Sequence, residues 1–338
     1  MPGITKLVDI IEPAVYLKYQ KEYKPDRLDL LNSGIIAPTP DEIRSQMTAG
    51  GSRIDLPYWQ DVSRTEPNVM SDNDAITATP EKVTSSKMQA QKLYRHQSWS
   101  AMRLAGAVAT GTPGDPLKGI VDFTSRYWEA VRQITLIKSL DGILADNVAN
   151  ASADMRYLIY SDIASPLAAN KISPAAVNRA RFTMGHSMDN LTAMVMHSQV
   201  YTDALDQEAI SFVQPDNLPF KIAMFAGVKV MVTDDCTVVA GVNSPKYRTY
   251  MFGMNALCYD LHLPEDSVEA WRYPEKGNGG GQDILHNRRH ELLNPYGWKF
   301  TAASMAGKSP TWAELATAAN WTRVYDRKNC RIAYLETN

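Results

Sequence analysis

The sequence predicts an α+β fold, and three observations carry that reading. Gly114 to Leu144 holds one long helical pattern, short strand-like segments cluster later in the chain, and the two kinds of element never alternate as regular βαβ units. A fourth feature sets the chain apart from a compact α+β domain. Residues 52 to 98 form a polar excursion too long for an ordinary connection unless it binds something.

The bulk numbers narrow the class. A chain of 338 residues can bury a large core without a disulfide or metal staple. With 35 basic and 37 acidic side chains the net charge is −2, so no broad basic face for gripping nucleic acid is expected. Cys236, Cys258 and Cys330 are odd in number and widely spaced, which suits reduced structural thiols in a cytosol-like compartment. MPGITKLVDII lacks the basic and apolar regions of a signal peptide, and no run of about 18 apolar residues reaches membrane-spanning length.

Along the chain, residues 1 to 51 read as an arm of short helices, with Thr39-Pro40-Asp41-Glu42 as a capping box and Gly50-Gly51 as a stop. Ser52 to Val62 alternates apolar and polar residues as a strand does. A polar stretch from Ser63 to Pro80 follows, and Glu81 to His96 returns as an extended or partly helical limb. Two strands alone cannot bury a shared face, so this hairpin asks for a partner. Asp115 caps the long helix, Pro116 takes its first position, and its apolar stripe runs through Ile120, Phe123, Tyr127, Val131, Ile134, Ile137, Leu140 and Leu144. Ser173-Pro174 opens a second helix, and Met188 to Leu205 reads as a third. Strands are expected at 156–161, 220–225, 228–233, 237–239, 248–252, 268–273 and 290–293, then a helix from Thr311 to Asn320 and a closing strand.

The candidates for chemistry are weak. SMAGKSPTW ends like a phosphate-binding loop, but Ala302 stands where the first glycine is needed and Pro310 removes an amide, so Ser309-Pro310 reads as a helix start. His286 and His290 are four apart and could share a helix face around zinc. Asn287 replaces the glutamate of the metalloprotease pattern, however, and Arg288 and Arg289 oppose a cation. GNGGGQ at 277–282 reads as a turn between strands, and Met184, Met188, Met194 and Met196 as core filler beside a packed His197. No catalytic residue, cofactor or metal is assigned.

The order of pieces resembles the major capsid proteins of tailed double-stranded-DNA bacteriophages, with the Hong Kong 97-like fold. The resemblance rests on IDLPYWQDV at 54–62, the long helix, NLTAMVMHSQVYTDAL at 190–205, YRTYMFGMNALCYD at 247–260, GNGGGQDILHNRRHELLNPYGWKF at 277–300 and the C-terminal stretch from Ser309. It implies an N-terminal arm (1–51) and an extended E-loop over a neighbouring subunit (52–98). It also implies a P-domain (99–174 and 266–300) with its spine helix at 115–144, and an A-domain (175–265 and 301–338). The implied function is self-assembly into hexamers and pentamers of an icosahedral shell around DNA, assembled in the host bacterial cytoplasm and contacting the DNA weakly. Portal and scaffolding proteins are the implied partners, with decoration proteins as further ones, and no membrane is involved. The arm begins near Met1, so scaffolding is expected as a separate protein. Trp59, Met88, Leu93 and Tyr94 on the hairpin limbs are the expected inter-subunit contacts. The alternatives are an encapsulin-like compartment shell and a metal-dependent enzyme using His286 and His290.

Overall fold

The computed structural model describes residues 34–37, 41–62, 64–70, 72–73, 75–108, 116–213 and 222–338. The first elements are β1 (Ile36–Ala37), α1 (Asp41–Thr48), β2 (Arg53–Trp59), β3 (Ser85–Met102), α2 (Arg103–Val108) and α3 (Pro116–Asn150). Next come β4 (Arg156–Leu158), α4 (Pro174–Phe182), β5 (Leu191–Met196), α5 (Ser198–Asp206), β6 (Ile210–Val213), β7 (Ile222–Phe225), β8 (Val228–Val232), β9 (Val238–Val239) and β10 (Lys246–Gly253). Then follow β11 (Leu257–His262), β12 (Val268–Tyr273), β13 (Gln282–Pro295), β14 (Trp298–Phe300), α6 (Trp312–Leu315), β15 (Trp321–Arg323) and β16 (Ile332–Thr337). The expected α+β class holds.

Two sheets flank α3. One has the order β1-β11-β13-β3-β2, with β12 also paired to β13. The other runs β4-β16-β10-β5-β8-β7-β6, with β9 on β10. The short β14–β15 pair and α6 pack along α3, while β16 enters the second sheet, so the C-terminal stretch ties the two together.

At ~1.5 Å per residue, the 35 residues of α3 make a rod of roughly 52 Å. Its C-terminal half is enclosed: Leu136, Ile137, Leu140, Ile143 and Leu144 are buried in a core shared with Tyr250 and Phe252 of β10 and Tyr334 of β16. The expected stripe fails nearer the N-terminus. Phe123 and Tyr127 are each 37% exposed, and Trp128 occupies the core position instead. Gly142 is required by contact. A Cβ there would lie 2.0 Å from the Leu315 carbonyl oxygen and 2.3 Å from Trp321 Nε1, groups that hydrogen-bond to each other at 2.7 Å. The buried Asp141 joins the helix to the second sheet, accepting from Arg248 at 2.7 Å and from the Tyr250 hydroxyl at 2.9 Å.

Several local expectations change. The segment expected as one helix from Met188 to Leu205 divides into β5 and α5. Leu191 and Ala193 to Met196 are all buried between β10 and β8, and an apolar run of that length fits a covered central strand as well as a helix. His197 is the N-cap of α5, its Nδ1 accepting from the Gln199 amide at 3.1 Å. The limb expected from Glu81 has no helical part: it becomes the strand β3 at Ser85 and continues to Met102. The C-terminal helix shortens to α6, closed by a capping box between Thr311 and Glu314, and a 3₁₀ turn at Ala318–Asn320. The caps expected at Thr39-Pro40 and Asp115 lie outside the described residues.

Candidate assembly surfaces

The hairpin of β2 and β3 has a fixed root and a free end. Residues 53–59 pair with 85–91, and β3 then continues against β13 from Lys92 to Met102. Side chains pin this root from several elements. Tyr58 donates to the Val324 carbonyl at 2.9 Å and meets Tyr325 edge-on, with ring centroids 4.7 Å apart. Gln91 donates to the Lys308 carbonyl at 2.9 Å, and the Tyr94 amide donates to Ser309 Oγ at 3.1 Å. Lys92 is fully buried and its Nζ donates to the carbonyl of Ala49 at 2.7 Å; burial lowers its pKa. The Lys308-Ser309 pair that resembled a phosphate loop therefore braces the hairpin.

Of the four expected contact residues, the root absorbs two. Met88 and Leu93 are 4% and 2% exposed; Leu93 belongs to the α3 core, and Met88 Sδ accepts from the Gly297 amide at 3.1 Å. That corrects the expectation that both present area to a neighbour: Leu93 lies where β3 pairs with β13, and Met88, still paired with β2, is covered against Gly297. Tyr94 is partly covered, its hydroxyl donating to the Gly51 carbonyl and its ring standing edge-on to His290. Trp59 remains 74% exposed at the end of β2.

Beyond Trp59 the chain leaves the sheet. Gln60 to Thr84 is held by bonds inside the loop, such as Gln60 to Thr84 across its neck, Thr65 to Glu81, and the turn of Ile76 on Asn73. Val69, Met70 and Ile76 are 82%, 98% and 61% exposed, and Val62 and Val83 are half-exposed. A row of exposed apolar side chains on a projecting loop marks an interaction surface.

The root sheet has two faces. Against β13, α1 covers one face through Ile43 and Met47 on Leu292 and Ala90. On the other face α3 lies over Arg289, Glu291 and Leu293. There Arg289 stacks on Trp128 at 5.0 Å, Arg132 stacks on Tyr259 at 4.7 Å, and Trp99 meets Tyr127 edge-on. Arg95 sits opposite Arg289 in the ladder. Buried without hydrogen-bond partners are the Nε atoms of Arg132 and Arg289, and Nε and Nη2 of Arg95. Burial draws down the pKa of Arg95 and Arg289 and pushes the Glu291 carboxyl up, against the pull of Arg132, Arg289 and Arg95. Sequence reasoning missed this cluster, because its members come from β3, α3 and β13 and only the ladder register brings them together.

The histidines lie on a strand, not a helix. His286 and His290 share one face of β13, about 13 Å apart at ~3.3 Å per residue. Each has its own neighbour: His286 Nδ1 lies 3.0 Å from His96 Nε2, and His290 is tilted against His262. Among the described residues no group of three or more His, Cys, Asp or Glu is placed to hold a metal ion. GNGGGQ is the turn between β12 and β13, with positive φ at Gly277, Asn278, Gly279 and Gly281. Cys236, Cys258 and Cys330 are buried thiols that are not joined in a disulfide.

Comparison with known proteins agrees with this geometry. The family model described as Gp13-like, major capsid protein 13-like, matches residues 132–330. The major capsid protein of Bacillus phage SPP1 is 32% identical over 332 residues, covering 97% of this chain and 96% of that protein. The capsid of cyanophage Pam1 superposes with a TM-score of 0.60 at 10% identity, covering 100% of this chain and 99% of its own. The SrpI encapsulin of Synechococcus elongatus PCC 7942 gives 0.54 at 10% identity, covering 95% and 91%. The two structures share the Hong Kong 97-like capsid fold with this chain, and the fold by itself does not separate a capsid from an encapsulin. The sequence match does: the chain belongs to the Gp13-like family of major capsid proteins, which build shells from copies of themselves.

Proposed function

We propose that the chain forms hexamers and pentamers of an icosahedral head enclosing the double-stranded DNA of a tailed phage, assembled in the cytoplasm of the bacterial host. The observation that carries this reading is the loop from Gln60 to Thr84, whose Val69, Met70 and Ile76 are largely exposed. Residues 1–51 serve as the arm, 52–98 as the E-loop, 99–174 and 266–300 as the P-domain around α3, and 175–265 with 301–338 as the A-domain. The six-stranded sheet on α3 supports the P-domain and the eight-stranded sheet the A-domain, although β11 of the first lies within 175–265 and β4 of the second within 99–174. Trp59 is the limb residue offered to a neighbour. The work is association rather than catalysis, and needs no cofactor or metal. Portal, scaffolding and decoration proteins are the further partners. A net charge of −2 favours weak, non-specific, salt-sensitive contact with the packaged DNA.

Electron microscopy of the purified protein, alone and with co-expressed scaffold, tests the reading. Closed shells of capsomers are expected, and shells from infected cells contain DNA. A chain that stays monomeric at high concentration overturns it, and shells filled with a cargo protein instead of DNA favour the encapsulin alternative.

A further inference from the structure

We infer that Asn278, at the tip of the β12–β13 hairpin, is a site of spontaneous modification, where the side-chain amide is lost through a succinimide and a carboxylate takes its place. The reaction runs within the chain and consumes only water. Losing its proton to solvent, the Gly279 backbone nitrogen attacks Asn278 Cγ. The N–Cγ bond forms, the Cγ–Nδ2 bond breaks, and the side-chain nitrogen leaves as ammonia. Water then opens the ring. Cleavage at Cγ gives aspartate; cleavage at the Asn278 backbone carbonyl gives isoaspartate, with the main chain rerouted through the side chain.

Asn278-Gly279 is the one Asn-Gly step in the sequence, and a glycine, having no Cβ, hinders attack by its own nitrogen least. Asn278 is exposed, and no heavy atom lies within 4 Å of the place that a Gly279 Cβ would take. Both residues have positive φ, 54° and 90°. The turn is closed by bonds on either side of their shared peptide: the Gly280 amide donates to the Gly277 carbonyl at 3.2 Å, and the Gly281 amide to the Lys276 carbonyl at 2.9 Å. Among the described residues neither the Gly279 amide nor the Asn278 side chain has a hydrogen-bond partner, so nothing ties down the nucleophile or the carbon it attacks. Other asparagines lack this combination. Asn255 also has positive φ, but the Ala256 that follows is 2% exposed. Asn243 precedes the small Ser244, yet the Ser244 amide donates to Asp162 Oδ1 at 3.1 Å and Asn243 Nδ2 to the Asp162 carbonyl at 3.2 Å. Each event at Asn278 adds one negative charge to a chain of net charge −2, so the protein ages into more acidic forms.

The test follows the full-length dissociated subunit in mildly alkaline buffer by peptide mapping and mass spectrometry. Asn278 is expected to convert tenfold or more faster than Asn243 or Asn255, at a rate that rises in proportion to hydroxide, with aspartate and isoaspartate appearing together. Asn278→Gln should remove the acidic form, because the longer side chain must close a larger ring; an acidic form that persists arises elsewhere and counts against the site. Unfolding in urea should speed Asn243 far more than Asn278, and the reverse would show that the folded turn holds Asn278 back. Aspartate without isoaspartate overturns the succinimide route, and an Asn278 that stays intact overturns the proposal.

Discussion

Shortening Arg64–Thr79 to a tight turn should leave the subunit folded and disable the shell. Within the subunit the segment does little. The hydrogen bonds seen among its described residues, such as Ile76 to Asn73 and Asn68 to Thr79, lie inside the loop, and Val69, Met70 and Ile76 are mostly in water already. Halving a loop of this kind changes its closure free energy by only about 0.6 kcal/mol, in favour of the shorter chain. Between subunits the balance differs. Burying an apolar side chain of this size contributes about 1.5–3 kcal/mol, so weighting by exposure leaves on the order of 4–7 kcal/mol per subunit available for a neighbour. At 1.4 kcal/mol per factor of ten, that is roughly three to five decades in an association constant. Thermal unfolding of the dissociated subunit and shell yield by sedimentation read the two effects separately. The expected result is a Tm within about 2 °C of the parent and loss of shells. A variant that assembles like the parent refutes the reasoning, and one that melts far below it shows that the tip belongs to the subunit's own core.

Three other outcomes follow from named contacts. Trp59→Ala should change subunit stability by no more than about 0.5 kcal/mol while lowering shell yield, because the ring is 74% exposed; a large drop in Tm would show it packed within its own chain. Gly142→Ala should cost about 3 kcal/mol in denaturant unfolding, since the new Cβ must displace the Leu315 carbonyl and Trp321; an unchanged midpoint would mean that α6 lifts away freely. Burial raises the Glu336 carboxyl, but the hydrogen bond and charge of Arg248, with Lys246 and Arg156, outweigh it, so it titrates below its usual range. The unfolded chain then binds this proton first as pH falls, so the stability from Glu336 is present above about pH 4.5 and is lost on acidification. Glu336→Gln should flatten the slope of subunit stability against pH below that point, and an unchanged slope would remove Glu336 as the cause.

Where the sequence was legible, one physical signal decided the structure. The period of α3 is readable from Val131 to Leu144 because that half is largely enclosed: Val131, Ile137, Leu140 and Leu144 of the stripe are buried and Ile134 is partly buried. The signal weakens toward Phe123 and Tyr127 because the helix there lies over a sheet face carrying arginines, and aromatic rings stay half in water. Leu191 to Met196 misled for the opposite reason. A central strand covered on both faces loses its alternation, and His197 following it looks like more helix until its capping bond to Gln199 is seen.

The contact surface was less legible than the fold, and β3 shows why. The hairpin limbs could be found from their alternating pattern, but nothing local says where β3 stops being a projecting arm and becomes the middle of a sheet. That boundary falls between Gln91 and Lys92, where the ladder passes from β2 to β13, and it is set by residues some 200 positions away. Leu93 therefore reads as a neighbour of Trp59 although pairing with β13 has already covered it, and Met88, on the β2 side, is covered by the distant Gly297. The same register turns Arg95, Arg289 and Glu291, unremarkable apart, into a set of charges buried against α3. An apolar side chain in a strand announces that it will be buried; only the long-range pairing decides whether its own chain or the next copy does the burying.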